Sequence, residues 1–533
     1  MTQLTVPIAV RAIERALAKS ARAAESGADL VEFRIDTFTQ DPPALADLVE
    51  RSTLPCIITC RSVEEGGFFE GNDGQRLALF EQAIRGGPAY LDVELAVYQR
   101  SAHFRQAIQA LVRPGAGRSA RPRLIFSSHD LRQRPADLYR ILEAMSNEPI
   151  CDVIKVAWHA RTLRDNIEAF EVLLQQYKPT IALCMGESGL ASRVLARKFS
   201  ALLTFATLDS DSATAPGQPT LVDLVNCYRW NSLRRDTQIF GVIGYPVRHS
   251  MSPAIHNAGF EATGFNGVYL PMPILPEFES FKATVGQWLG LEPLHFRGAS
   301  VTIPHKENLL RFVDQWDQGP AEVEQLAQKI GAANTLVVRP DGSLYAANTD
   351  YAAAIDALCD SLDMEREGLA TKSVAVIGAG GVARAVVAGL AHYGATVVVY
   401  NRTLERAEEL AAGFSGGAGK VVAARLEKLC DSCCQVYINC TSVGMHPDID
   451  QTPMPTPPDA WGPGTVVFDT IYNPLETKWM LDAKASGCLT IPGTEMFVRQ
   501  AAAQFKLWTG LNAPLEQFRA VLLEQLGELG GGA

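Results

Sequence analysis

The chain is 533 residues long, 47% hydrophobic and 20% charged, with a formal net charge of −11. That length needs more than one core, and the composition, with 43 Gly and 30 Pro, excludes a collagen-like or low-complexity chain. The negative balance excludes a nucleic-acid surface, which needs clustered positive charge, so any anionic ligand must meet Arg or Lys placed locally in a site.

The N-terminus carries Arg11 and Arg15 and lacks a long apolar run followed by small residues, so no secretory signal is expected. Short apolar runs then alternate with helical patterns, at 4–10, 30–35, 56–60, 90–95, 124–128, 153–158, 180–185 and 203–208. Buried strands alternating with helices make a parallel sheet. Eight such units predict an N-terminal (β/α)8 barrel over residues 1–227, with an open doubly wound sheet as the alternative.

Reactive groups in such a barrel sit at the C-terminal ends of strands and in the loops that follow. Glu32 and Arg34 stand two apart on the second run and so face the same way, into the barrel; a structural ion pair is the other reading. Arg61 ends the third run, with Glu65 in the Gly-rich loop beyond it. His129 follows the fifth run in SSHD, and Lys155 lies inside VIKVAW on the sixth. Desolvation by Val and Ile lowers a lysine's pKa and leaves a neutral amine able to form an imine with a ketone; a salt-bridged structural lysine is the alternative. A histidine on the adjacent strand end can move a proton at the next carbon. Arg193 and Gln218, after the seventh and eighth runs, can hold a carboxylate and hydroxyls.

VEFRID, TCRSVEEGG, SSHD, VIKVAW, MGESGLASR and APGQ, in that order, resemble type I 3-dehydroquinate dehydratase over about residues 4–226. The resemblance implies Lys155 as the Schiff-base lysine and His129 as general acid/base, oriented by Glu65. It implies Glu32, Arg34, Arg61, Arg193 and Gln218 as substrate ligands, with Arg193 on the carboxylate. Thr214 stands where the family usually has Ser; its hydroxyl still donates, while the extra methyl stiffens χ1.

Residues 228–237 are polar and Arg-rich and read as a linker. New runs follow at 240–243, 268–271, 298–303 and 335–338, then at 373–377, 396–400, 436–439 and 466–469. They predict a two-lobed α/β half: a lobe at 238–350, completed by a helical tail at 493–529, and a Rossmann-like lobe at 351–492. The most apolar stretch, 373–391, carries Arg384 and clustered Gly, so it reads as strand, turn and helix rather than a membrane span. Eleven scattered Cys fit free thiols in a reducing, cytoplasmic setting. Cys430, Cys433 and Cys434 lack a second pair or a His at zinc spacing, and no metal is expected.

In VAVIGAGGVARAVVAGL, Gly378, Gly380 and Gly381 follow a strand and open a helix, with Ala379, Val382 and Ala383 between and after them. Such a turn lets the backbone approach a pyrophosphate at a helix N-terminus, although a tight packing turn looks the same. The next strand ends in Tyr400, then Asn401, Arg402 and Thr403, with Arg406 one turn on. No acid is present to grip a ribose 2′-hydroxyl, and two guanidiniums can clamp a 2′-phosphate, which reads as NADP(H).

In GYPVRHSMSP, Ser250 and Ser252 can cap a turn or hold a carboxylate. Lys306 in SVTIPHKENL can be a solvated lysine, and Asp350 in ANTDYAA a helix cap. With GAANTL, NCTSVGM, FDTIYNPLETKW and GTEMFVRQAAAQF, these segments resemble shikimate dehydrogenase over about residues 238–525. The resemblance implies Lys306 and Asp350 as the catalytic pair, and Ser250, Ser252 and Tyr472 on the substrate carboxylate. It places Thr302, Asn334 and Gln500 on ring hydroxyls, and Gly493 with the glycine turn on the cofactor. Gln504, one helical turn from Gln500, would face the same site. Ser300 and Tyr351 depart from the family's usual Asn and Gly.

Both halves together resemble the bifunctional enzymes that dehydrate 3-dehydroquinate to 3-dehydroshikimate and reduce it with NADPH to shikimate. The expected partners are these small molecules, with no nucleic acid, membrane or metal. A quinate enzyme using NAD, a half that only senses a metabolite, and an assembly scaffold are the rival readings.

Overall fold

The computed structural model describes residues 2–38, 44–113, 121–175, 178–209, 217–414, 416–454 and 461–530. Two compact units divide the chain. One comprises Met1–Gln238, Asn266–Leu275 and Ala283–His295; the other comprises Ile239–Phe265, Pro276–Lys282 and Phe296–Ala533.

Eight strands build the first unit: β1 (Gln3–Ala9), β2 (Leu30–Arg34), β3 (Cys56–Thr59), β4 (Tyr90–Glu94), β5 (Arg123–Asp130), β6 (Val153–His159), β7 (Thr180–Met185) and β8 (Leu203–Phe205). Each pairs in parallel with the next from β1 to β7, and β8 returns to pair with β1. The sheet therefore curls round as the predicted barrel and does not lie open. Between β7 and β8 no ladder is formed among the described residues.

Alternation along each strand sends one set of side chains inward. Leu30, Ile57, Ile125, Val153, Ile181 and Leu203 make an apolar floor, and the next inward positions, Glu32, Thr59, Asp92, Ser127 and Lys155, are polar and buried. That polar layer positions the chemistry.

The 228–237 segment is not loose. Trp230, Leu233 and Thr237 are buried, and Lys198 Nζ donates to the Arg235 and Thr237 carbonyls at 2.6 and 2.9 Å.

In the second unit one sheet runs β9 (Gln238–Gly244), β11 (Phe296–Val301), β13 (Thr335–Val338), β14 (Leu344–Ala347), β12 (Ala321–Val323); β10 (Gly267–Pro273) falls in the segment that clusters with the first unit. The other sheet runs β17 (Lys420–Arg425), β16 (Thr396–Asn401), β15 (Ser373–Ile377), β18 (Val436–Asn439), β19 (Val466–Asp469), β20 (Leu489–Ile491), all parallel. Strands β12, β14, β17 and β20 had no counterpart among the expected runs. All but β17 have three or four residues, and β12 and β17 are largely exposed, so their hydrophobic signal is weak. The tail is two helices, Gly493–Thr509 and Leu515–Gly530, broken at Gly510 with φ +72° and at Pro514. Among the described residues no helix is long and apolar enough to cross a membrane.

Candidate active sites

At the C-terminal mouth of the barrel lies a cavity of about 320 Å³ whose lining includes Arg34, Glu65, His129, Lys155, Arg193 and Gln218, with Glu32 and Arg61 beside them. Lys155 is 3% exposed, and its amine is ion-paired, as the alternative reading of a salt-bridged lysine had it, while still lining the cavity. Nζ donates to Glu32 Oε1 at 3.0 Å and to Asp92 Oδ2 at 2.9 Å, and it lies 4.7 Å from the Phe205 ring centre. Asp92 also takes both ends of a bond pair from Arg61 Nη2 and accepts from Ser127 Oγ at 2.6 Å. Burial drives the Asp92 carboxyl upward, but Arg61 and Lys155 outweigh it and hold it below the usual carboxylate range.

Asp92 escaped the sequence reading, as did Glu94, which holds Ser62 and Arg76, and His159, which lines the cavity. The period-two signal that singled out Glu32 and Arg34 is also present in YLDVE and in KVAWH.

Arg34 is occupied by Asp36 through two bonds of 2.9 Å. Arg193, 1% exposed, has no acid partner among the described residues, and its Nε is unbonded. Burial lowers its guanidinium to about 10, so it stays cationic near neutrality and is the cation left over for an anion. Thr214 lies outside the described residues.

His129 Nδ1 lies 2.8 Å from Glu65 Oε2, which also accepts the His129 backbone N–H at 3.1 Å. Burial first, then Arg61 and Lys155, hold the imidazole well below its ordinary value, so it is a neutral base. Burial pushes the Glu65 carboxyl up from 4.5 to about 8 against the pull of Arg61. The folded state therefore keeps a proton that the unfolded state releases, and this group's contribution to stability declines as pH rises from about 4.5 to 8. Glu65→Gln removes that decline. In urea melts the variant should gain on the parent by up to a few kcal/mol between pH 5 and 8; a constant difference across that range refutes the raised carboxyl.

The second unit holds a cavity of about 420 Å³ lined by Ser250, Ser252, Thr302, Lys306, Asp350 and Gln500, closed by Tyr472, Gly493 and Val382. Lys306 begins helix Lys306–Asp314, where the helix dipole disfavours a cation. Asp350 Oδ2 offsets this at 2.5 Å. Asp350 is not the cap of its helix: Asn348 is, accepting the Asp350 N–H.

Two expected ligands do not line this cavity. Asn334 is fully buried and donates from Nδ2 to Asp350 Oδ1 at 2.9 Å and to Thr349 Oγ1 at 3.1 Å, so it holds the acid from behind. Gln504 is buried too; it accepts from Ser300 Oγ and donates to the Asn334 carbonyl and Thr335 Oγ1. With its amide committed to that network, it braces the wall and does not face the site. Of the two departures from the family pattern, Ser300 lines the cavity, and the Tyr351 hydroxyl donates to Glu324.

The Gly378–Ala383 turn joins β15 to helix Gly381–His392. Gly378 has φ +108°, and a Cβ there would meet Thr441 Cγ2 at 3.0 Å; nothing lies within 4 Å of a Cβ built at Gly380 or Gly381. Open backbone at a helix N-terminus fits a pyrophosphate. At the end of β16, Asn401 Nδ2 closes onto the Thr403 carbonyl, and Arg402 and Arg406 are exposed and form no ion pair among the described residues, which fits a 2′-phosphate. Among the described residues no cluster of three or more His, Cys, Asp or Glu side chains is arranged to hold a metal ion.

Residues 4–234 match the type I 3-dehydroquinase family, 242–336 the shikimate dehydrogenase substrate binding domain, 361–451 the shikimate/quinate 5-dehydrogenase family and 493–523 the shikimate 5′-dehydrogenase C-terminal domain. A chloroplastic bifunctional 3-dehydroquinate dehydratase/shikimate dehydrogenase of Arabidopsis thaliana is 37% identical, over 97% of this chain and 84% of its own. A shikimate dehydrogenase (NADP(+)) of Moorella thermoacetica is 40% identical over 56% of this chain and 97% of its own. The solved dehydroquinate dehydratase and shikimate dehydrogenase of S. pombe AroM matches at 26% identity with a TM-score of 0.44, over 98% of each chain.

Proposed function

This chain belongs to the family of bifunctional 3-dehydroquinate dehydratase/shikimate dehydrogenases, and we propose on that basis which of its residues perform each step. The chain is a shikimate-pathway enzyme, a lyase in its first half and an NADP-dependent oxidoreductase in its second. The proposed boundaries are residues 1–227 for the dehydratase, 228–237 for the linker, 238–350 with 493–529 for the substrate lobe and 351–492 for the cofactor lobe.

In the first cavity Arg193 takes the carboxylate of 3-dehydroquinate, and Gln218 and Arg34 the hydroxyls. The Lys155 amine adds to the C3 carbonyl and loses water to give an imine; Glu32, already bonded to Nζ, takes the proton the amine sheds, while Asp92 stays ionised and holds Nζ in place. His129 Nε2 removes a C2 proton and returns it to the departing C1 hydroxyl, which leaves as water. Glu65 on Nδ1 keeps Nε2 free for this task. Hydrolysis of the imine releases 3-dehydroshikimate and restores Lys155. Arg193→Gln should raise KM for 3-dehydroquinate by roughly tenfold to a hundredfold, the worth of a charge-assisted bond; an unaltered KM places the carboxylate elsewhere.

In the second cavity Ser250, Ser252 and Tyr472 hold the carboxylate, and Thr302 and Gln500 the ring hydroxyls. Lys306 delivers a proton to the carbonyl oxygen, and Asp350, fixed by Asn334, keeps the ammonium aimed. NADPH, held by the 378–383 turn, Asn401, Arg402, Thr403, Arg406 and Gly493, supplies the hydride when bound. The chain is proposed to work in the cytoplasm, on its odd and scattered cysteine content.

The observation that carries the reading is a buried lysine and a half-buried imidazole lining one cavity of a chain that matches a bifunctional relative nearly end to end. Pure protein given 3-dehydroquinate and NADPH should form shikimate and consume NADPH in equal amounts, faster than with NADH. Turnover of 3-dehydroshikimate alone would leave the first half inactive.

A further inference from the structure

We propose that Lys329 and Arg384 complete the pocket for the cofactor's 2′-phosphate, a role that rests on the NADP(H) reading but on residues outside its Asn401–Arg406 segment. A cavity of about 480 Å³ lies beside the glycine turn and is lined by Lys329, Arg384, Arg406, Glu409 and Ala379. Three helices supply the cations: Gln325–Ile330, which leads into β13, and Gly381–His392 and Leu404–Gly413, which flank β16.

Three positive groups round one cavity with a single lining carboxylate repel one another unless an anion enters. Among the described residues, Lys329 and Arg406 pair with no acid. Arg384 reaches only Glu307, at 3.8 Å, with both side chains well exposed, and the Ile330 carbonyl at 3.4 Å. The positive charge at this spot is therefore largely unspent. A phosphate dianion is the anion whose charge and acceptor oxygens match two guanidiniums and an ammonium.

The position of the cavity selects which phosphate. The turn has a cavity on each side. Val382 lines the one that holds Lys306 and Asp350, where hydride must arrive. Ala379 lines the other, together with Arg406 of the helix that follows Asn401–Thr403. A dinucleotide crossing the turn with its nicotinamide toward Lys306 brings its adenosine ribose to the Arg406 side. The phosphate there is then held from the helix before β13 as well as from the cofactor sheet.

Calorimetric titration of the full chain with adenosine 2′,5′-bisphosphate and with AMP isolates the 2′-phosphate without turnover. Lys329→Gln and Arg384→Gln should each lower the ratio of the two affinities by about tenfold, and the charge-reversed Lys329→Glu should lower it further. If the ratio holds in these variants but falls in Arg402→Gln and Arg406→Gln, the proposal is wrong and the NADP(H) reading stands. If it holds in all five, both are wrong. Equal weakening of both nucleotides in Lys329→Gln and Arg384→Gln would mean a structural role and would overturn the proposal as well.

Discussion

Borohydride reduction of the chain in the presence of 3-dehydroquinate should fix a ligand-sized adduct on the peptide that carries Lys155, and on no other. Among the described residues Lys155 is the only lysine lining the barrel cavity, and reduction traps an imine at the carbon it has captured. Lys155→Ala should abolish the adduct and lower dehydration by roughly four orders of magnitude or more, since the nucleophile itself is lost. The same variant leaves Glu32 and Asp92 without their shared cation, which costs about 3–5 kcal/mol when a buried pair is broken from one side. Lys155→Arg separates the two effects: it keeps a cation between the carboxylates, yet a guanidinium forms no imine. A folded Lys155→Arg protein with full dehydratase turnover would end the imine mechanism.

The second large effect is expected at Lys306. Lys306→Ala should reduce turnover of the reductase by about a hundredfold to ten-thousandfold, the range for a positioned proton donor, with a far smaller change in the dissociation constant for NADPH. The reason is geometric. Lys306 bonds Asp350 in the wall of the substrate cavity, whereas the cofactor turn and the Arg402–Arg406 segment lie on other elements. Dehydration measured in the same preparation reports that the chain is folded. Comparable losses in turnover and NADPH affinity would contradict the role given to Lys306.

Much of both sites was legible because it is local. Glu32 with Arg34, and the strand-flanked glycine turn, show themselves through alternation and spacing alone, and the strands fall where the apolar runs are. The edge strands were not legible: β17 has no fully buried residue and β12 is three residues long, so neither leaves a pattern that differs from loop. Gln504 shows another limit. A helix puts positions 500 and 504 on one stripe, but where helix Gly493–Thr509 packs on β11 and β13, Gln500 lines the cavity while Gln504 bonds Ser300, Asn334 and Thr335.

By itself the sequence determined the eight β/α units of the first half, many of the residues that line each cavity and the preference for a 2′-phosphorylated cofactor, since each follows from periodicity or from a short motif. Only the tertiary structure decided which charges meet. Lys155 is 63 residues from Asp92 and 123 from Glu32, and Asp350 is 44 from Lys306. Coulomb energy depends on distance through space and on local burial, and neither is written in the spacing of residues along a chain.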